Sequence, residues 1–161
     1  MRPLILIVNH AYLFFGTTLY VGVLWALRFF WYPSWDTMTL ADVTDHFVGP
    51  TSAATKFFTI VVPLMFLTNL VLVITERKQL PTLVPAIVAF LCTGTATYVG
   101  TMLIIPTNKE IAVATTDAQL DVLLQRWMDL NDIRFVLLTL MWLAVLQYFV
   151  AKGRLLNALN Q

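Results

Sequence analysis

Arg134 stands immediately before Phe135-Val136-Leu137-Leu138, the opening of an apolar run, and a guanidinium at the edge of hydrocarbon is costly unless something pairs with it. Asn131 precedes it by three residues and Trp127 precedes Asn131 by four, so on a helix the three share one face, which turns polar as it meets the membrane. Asp132 is the sequence neighbour of Arg134 but points elsewhere. The partners open to Arg134 are an Asp or Glu of the first loop, backbone carbonyls near Pro106, or an acidic ligand. A carboxylate partner makes Arg134 a structural tie between segments; a ligand makes it a binding residue.

A second group is Asp42, Asp45 and His46, spaced so that a short helix would put all three on one face. That spacing suits a proton relay or a metal, although two carboxylates and a histidine in a polar loop are also what plain solvation looks like. His46 with Asp42 or Asp45 is the one arrangement in the chain able to act as a general base. Arg134 and Asn131 would then stabilise the enolate or phenolate that such a base creates. Just upstream, the run Arg28-Phe-Phe-Trp-Tyr-Pro-Ser-Trp35 sets Trp31, Tyr32 and Trp35 close together, either as an aromatic belt at headgroup level or as a wall of a pocket. No zinc spacing, haem motif, phosphate loop or nucleophile–base pattern occurs, so neither a metal nor a cofactor is expected. His10 lies six residues past Leu4, roughly 9 Å along a helix, too far from His46 to share a metal with it, and it reads as an interhelical hydrogen-bonding residue.

The elements that must hold these residues are set by composition. The chain has 161 residues, 59% hydrophobic and 12% charged, a balance far from the soluble average. Lys and Arg number 10 against 9 Asp and Glu, with no basic cluster, so nucleic acid is excluded as a partner. Four apolar runs can each cross about 30 Å of hydrocarbon: residues 4–27, 57–75, 82–105 and 133–151, the last led in by a polar amphipathic segment. None shows period-two alternation, so the expected fold class is all-α, a four-helix transmembrane bundle forming one domain. The first run is too long for a signal peptide and lacks a cleavage pattern, so it is expected to remain.

Thr116-Asp117-Ala118-Gln119 predicts a helix start with Thr116 as cap and Gln119 answering it. Leu120, Leu123, Leu124, Trp127 and Met128 then form an apolar stripe, which predicts one helix from Asp117 into the last span, a long amphipathic extension. The third span carries Thr93-Gly94-Thr95-Ala96-Thr97 and Gly100-Thr101, small residues read as packing, as is Cys92. Four spans put both termini and the 76–81 turn on one side. Cations divide evenly: Arg2, Arg77, Lys78, Lys152 and Arg154 on that side, Arg28, Lys56, Lys109, Arg126 and Arg134 on the other. Because Arg28, Lys56 and Arg134 flank spans, where Arg28 and Lys56 can snorkel, the short-loop cations decide, and the termini are read as cytoplasmic in an inner membrane.

Ile105-Pro106-Thr107-Asn108, followed by Leu123-Leu-Gln-Arg-Trp-Met-Asp-Leu-Asn-Asp-Ile-Arg134 and a final span, resembles the anthrone-oxygenase-like family of small four-helix membrane proteins. The Pro-x-Asn, Trp and Asn-x-x-Arg elements fall on Pro106, Asn108, Trp127, Asn131 and Arg134, over the last third of the chain. The resemblance implies a four-helix fold and, as in a few members, cofactor-free oxygenation of a polycyclic phenolic substrate. The family often carries histidine where this chain has Asn131, and an amide takes up no proton near neutral pH. Two readings follow. One is an enzyme or binder holding a small aromatic or quinone-like molecule in a pocket between the two long loops. The other is a non-catalytic accessory subunit of a larger membrane complex. The expected partners are the lipid bilayer, other membrane subunits or a second copy of the chain, and a hydrophobic small molecule. A channel fits poorly, since the chain has no internal repeat.

Overall fold

The computed structural model describes residues 3–159; Arg2, counted above among the cations of the terminal side, lies outside them. Its elements are α1 (Pro3–Ala26), α2 (Tyr32–Trp35), α3 (Gly49–Glu76), α4 (Leu80–Val99), α5 (Ile105–Ala112) and α6 (Asp117–Leu159), with no strand among the described residues. Wider π turns, closed by i→i+5 hydrogen bonds, join α1 to α2 (Leu27–Trp31), lead into α3 (Thr44–Val48) and join α4 to α5 (Gly100–Ile104). The chain therefore forms four continuous rods. Each contains a helix long and apolar enough to cross a membrane, the architecture of a multi-pass membrane protein.

The rods outrun the apolar stretches. The segment from Arg28 to Pro50, read as a loop, is helical except at residues 36–42, and the segment after Ile105 stays helical to Ala112, leaving only residues 113–116 as a link. Hydropathy marks the lipid-facing middle of a span, whereas a helix satisfies its own backbone and goes on through polar and aromatic ends. The single helix from Asp117 into the last span is present as expected and runs for 43 residues. Its start is capped by Thr116, whose hydroxyl accepts the Gln119 amide at 3.2 Å. The Gln119 side chain answers one residue earlier than expected, accepting the Thr115 amide at 3.1 Å.

The rods pack in a ring, α1 against α3, α3 against α4, α4 against α6 and α6 back against α1. Ala86, Ala89 and Ala96 of α4 are wholly buried with Leu138, Met141 and Val145 of α6, so the small residues of the third span do serve close approach. Thr93 joins them, its hydroxyl 2.8 Å from the Ala89 carbonyl. Gly16 does the same for α1 and α3: a Cβ there would lie 2.9 Å from Met65 Cγ. Between 28% and 33% of each apolar window is buried inside the protein, so most of the apolar surface faces outward and lipid is the solvent that suits it.

At the end holding the 76–81 turn, Glu76 is buried and takes three donors: Lys152 Nζ at 2.6 Å, the Thr82 hydroxyl at 2.8 Å and the Tyr148 hydroxyl at 3.1 Å. Tyr148 also meets His10 Nε2 at 2.9 Å. Since the tyrosine proton goes to Glu76, the His10 nitrogen is the donor in that contact. His10 is thus an interhelical hydrogen-bonding residue, in a cluster that ties all four rods.

Candidate functional site

Each π turn is followed at the same offset by a proline. Pro33 lies two residues past Trp31, Pro50 two past Val48, and Pro106 two past Ile104. Proline offers no N–H to the carbonyl four residues back and its ring crowds that carbonyl, so the turn ahead of it must widen. In every case the residue just before the proline closes the wide turn: Tyr32 donates to the Leu27 carbonyl, Gly49 to Thr44 and Ile105 to Gly100. All three turns fall at the end of the bundle opposite Glu76. There they surround a cavity of about 520 Å³ between α1, α3, α4 and α6.

The residues singled out by sequence sort cleanly around this cavity. Trp35, His46, Asn108, Trp127, Asn131 and Arg134 all line it, together with apolar side chains such as Leu24, Phe58 and Val62. Asp42 and Asp45 do not. Asp45 is exposed, and the Asp42 carboxylate turns back on its own connection, accepting the Thr39 hydroxyl at 2.7 Å and the Thr39 amide at 3.2 Å. Those two bonds hold the Asp42 carboxyl below the usual carboxylate range. His46 is exposed on the π turn at the outer end of the cavity, and Asp42 meets it through its backbone, the Asp42 carbonyl accepting the His46 amide at 3.0 Å.

The outer end is an aromatic box. Trp127 packs edge-on against Trp35 and Phe47, with ring centroids 5.2 and 5.1 Å away, and all three are buried. The Trp127 indole N–H donates to Asn108 Oδ1, joining α6 to α5. The Tyr32 hydroxyl donates to the Met128 carbonyl at 3.3 Å. Of the three rings read as belt or wall, Trp35 is a buried pocket wall, Tyr32 is tied to α6, and Trp31 is 48% exposed while also lining the cavity; Phe29 and Phe30 of the same run face outward.

Two turns further along α6 the cavity floor is polar. The Asn131 amide donates to the Trp127 carbonyl at 3.0 Å, and its oxygen accepts Arg134 Nη1 at 2.7 Å. Arg134 Nη2 donates to the Tyr20 hydroxyl, and the guanidinium carbon sits 5.4 Å from the Tyr20 ring centroid. Arg134 Nε is shut away from solvent with no acceptor. Gly100, inside the third π turn, backs this group: a Cβ there would sit 3.8 Å from the guanidinium carbon. None of the partners expected for Arg134 within the protein, loop carboxylate or carbonyl near Pro106, is the one it has.

The carboxylates at this end are engaged elsewhere. Asp132 pairs with Arg28, which is thus an ion-paired residue and not merely a snorkelling one; it also lies 5.3 Å from the Phe135 ring centroid. Glu110 meets Arg126 at 3.4 Å, and Asp117 accepts the Leu40 amide at 2.9 Å. Tyr20 is the cavity residue that sequence reasoning missed. Its signal is a phenol in the middle of an apolar span, where a hydroxyl needs a partner. The prolines at 33, 50 and 106 were the available signal for the π turns. No family model, curated protein or solved structure matches the chain.

Proposed function

We propose that this protein binds a hydrophobic small molecule through an oxygen held by Arg134, a class that includes the phenols and quinones implied by the resemblance to anthrone-oxygenase-like proteins. The observation that carries the reading is Arg134 itself: a half-buried guanidinium on the floor of an apolar-walled cavity, bonded within the protein to neutral acceptors, Asn131 and Tyr20. Apolar walls with a few convergent polar groups are the usual form of a small-molecule site. Arginine stays charged at any accessible pH, so the donor is always ready.

His46 supplies the one imidazole on this cavity's wall and is its candidate general base. It lies near the level of Trp127, about 10 Å along α6 from the level of Arg134, so a proton lost to His46 and an oxygen held by Arg134 belong to opposite ends of an extended molecule. With the termini in the cytoplasm of an inner-membrane protein, the outer end of the cavity opens on the far side.

The test is purification of the tagged protein from its native host in mild detergent. An isolated chain or homo-oligomer carrying a hydrophobic, oxygen-bearing molecule, lost in Arg134→Gln, supports the reading. A stoichiometric protein partner and no bound molecule would make it an accessory subunit instead.

A further inference from the structure

We infer that the cavity's ligand is a monoanion with a single flexible hydrocarbon chain, a carboxylate amphiphile of the free fatty acid class, held head inward at Arg134. The inference rests on the proposed binding reading and adds the ligand's charge and its shape.

Charge comes first. A cation in a low-dielectric setting is costly until an opposite charge reaches it. Among the described residues no ion pair satisfies Arg134: Asp132 is taken by Arg28, Glu110 by Arg126 and Asp42 by Thr39. Asp129 accepts from Gln125, Asp117 from the Leu40 amide, and Asp36, Asp45 and Asp121 are exposed. Arginine does not relieve the cost by losing its proton. The compensating charge must then arrive with the ligand, and one cation calls for one anion. A carboxylate is the head that matches a guanidinium best, because two parallel N–H···O bonds can form.

Shape is the second observation. The lining residues of the α3 rod run from His46 to Val62, roughly 24 Å of helix, and those of the α1 rod from Tyr20 to Trp35 cover nearly as much. The cavity is therefore much longer than a two- or three-ring molecule, and its length is close to that of an extended chain of about sixteen carbons. A rigid fused-ring molecule would fill part of the length and leave the rest of an apolar slot without contacts, which costs dispersion energy. A flexible chain fills it. The guanidinium marks the head's place: Arg134 lies at the inner end with Tyr20 and Asn131, whereas the walls beyond it carry Leu24, Leu27 and Ile104 with threonine hydroxyls among them, and His46 and Asn108 stand toward the outer end.

The experiment is equilibrium binding of radiolabelled palmitate to the intact purified protein in non-ionic detergent, with methyl palmitate and naphthoate as competitors. Palmitate should bind, naphthoate should compete weakly and the methyl ester should not compete. Arg134→Gln should weaken palmitate binding by about tenfold or more. Ala54→Trp, which fills the slot away from the guanidinium, should weaken it while leaving the melting temperature near that of the parent. If the ester competes as well as the acid, the charge assignment is overturned and the binding reading stands. If naphthoate binds and palmitate does not, the chain assignment is overturned. If none of the three binds, the fatty-acid inference is overturned, and the reading beneath it stands or falls by whether the protein purified from its native host carries an oxygen-bearing hydrophobic molecule.

Discussion

Arg134 reaches across the bundle from α6 and donates to the hydroxyl of Tyr20 on α1, a phenol where a structural ion pair would have a carboxylate. The two possibilities differ in the size of a mutational effect. Removing one partner of a buried ion pair strands the other charge and costs several kcal/mol. Removing a cation whose protein partners are all neutral strands no charge. Arg134→Leu strands no charge but leaves the buried Asn131 oxygen and Tyr20 hydroxyl without their donor, so it should cost about 1–3 kcal/mol while losing ligand. Tyr20→Phe, which takes an acceptor from a charged donor, should cost about 1.5–3 kcal/mol. Thermal unfolding in detergent reads both, and a loss in Arg134→Leu of about 3–5 kcal/mol, the size of a broken buried ion pair, would return the residue to a structural role.

The proline-linked π turns make a second prediction. Pro106→Ala restores an N–H, so the turn at Gly100–Ile104 can tighten toward ordinary helix and draw in the cavity wall that Gly100 and Ile104 form. Ligand binding should fall severalfold with stability unchanged or improved. Pro63, inside α3 and away from the π turns, is the control, and Pro63→Ala should leave binding as it was. Equal effects from both variants would separate the prolines from the cavity.

Glu76 holds the opposite end together. Lys152→Met leaves a buried carboxylate with only the Thr82 and Tyr148 hydroxyls, at an expected cost on the order of 2 kcal/mol, below the full value for a buried pair because Lys152 is partly exposed. Adding Glu76→Gln removes the stranded charge and should recover part of the loss. A double-mutant cycle measures the coupling; simple additivity would mean that the ion pair contributes nothing.

Asp42 gives a pH prediction. Its carboxyl is held low by the Thr39 hydroxyl and amide, so its contribution to the 36–42 connection is present above the ordinary carboxylate range and is lost as pH falls through the lowered value. Hydrogen exchange at the Thr39 amide should speed up on acidification beyond the intrinsic rate change. In Asp42→Asn that extra dependence should vanish; if the parent also lacks it, the bond to Thr39 is not formed in solution.

The four spans, the single long last helix and the shared face of Trp127, Asn131 and Arg134 were legible in the sequence, because hydropathy and helical period act locally. So was His10, since a histidine in a span needs a partner. What was not legible depends on which rods are neighbours. Tyr20 and Arg134 are 114 residues apart, and only the ring order of the bundle brings them together. The Arg28–Asp132 pair joins the same two rods. The first loop was drawn too long because the apolar runs stop at Leu27 and resume at Phe57, whereas the helices continue through the polar and aromatic residues between, with Pro33 and Pro50 each absorbed by widening the turn before it. Asp42 and Asp45 were grouped with His46 by spacing alone, and spacing does not foresee that Thr39 offers Asp42 a nearer pair of donors.

The most direct test of the account is quantitative extraction of the parent protein and Arg134→Leu, purified side by side from the native host in the same mild detergent, with mass spectrometry of the released small molecules. One hydrophobic, oxygen-bearing molecule is expected, near one per chain in the parent and absent from a folded Arg134→Leu, with the Lys152→Met variant retaining it. The same molecule in equal amounts in the parent and Arg134→Leu, or no such molecule in the parent, would contradict it.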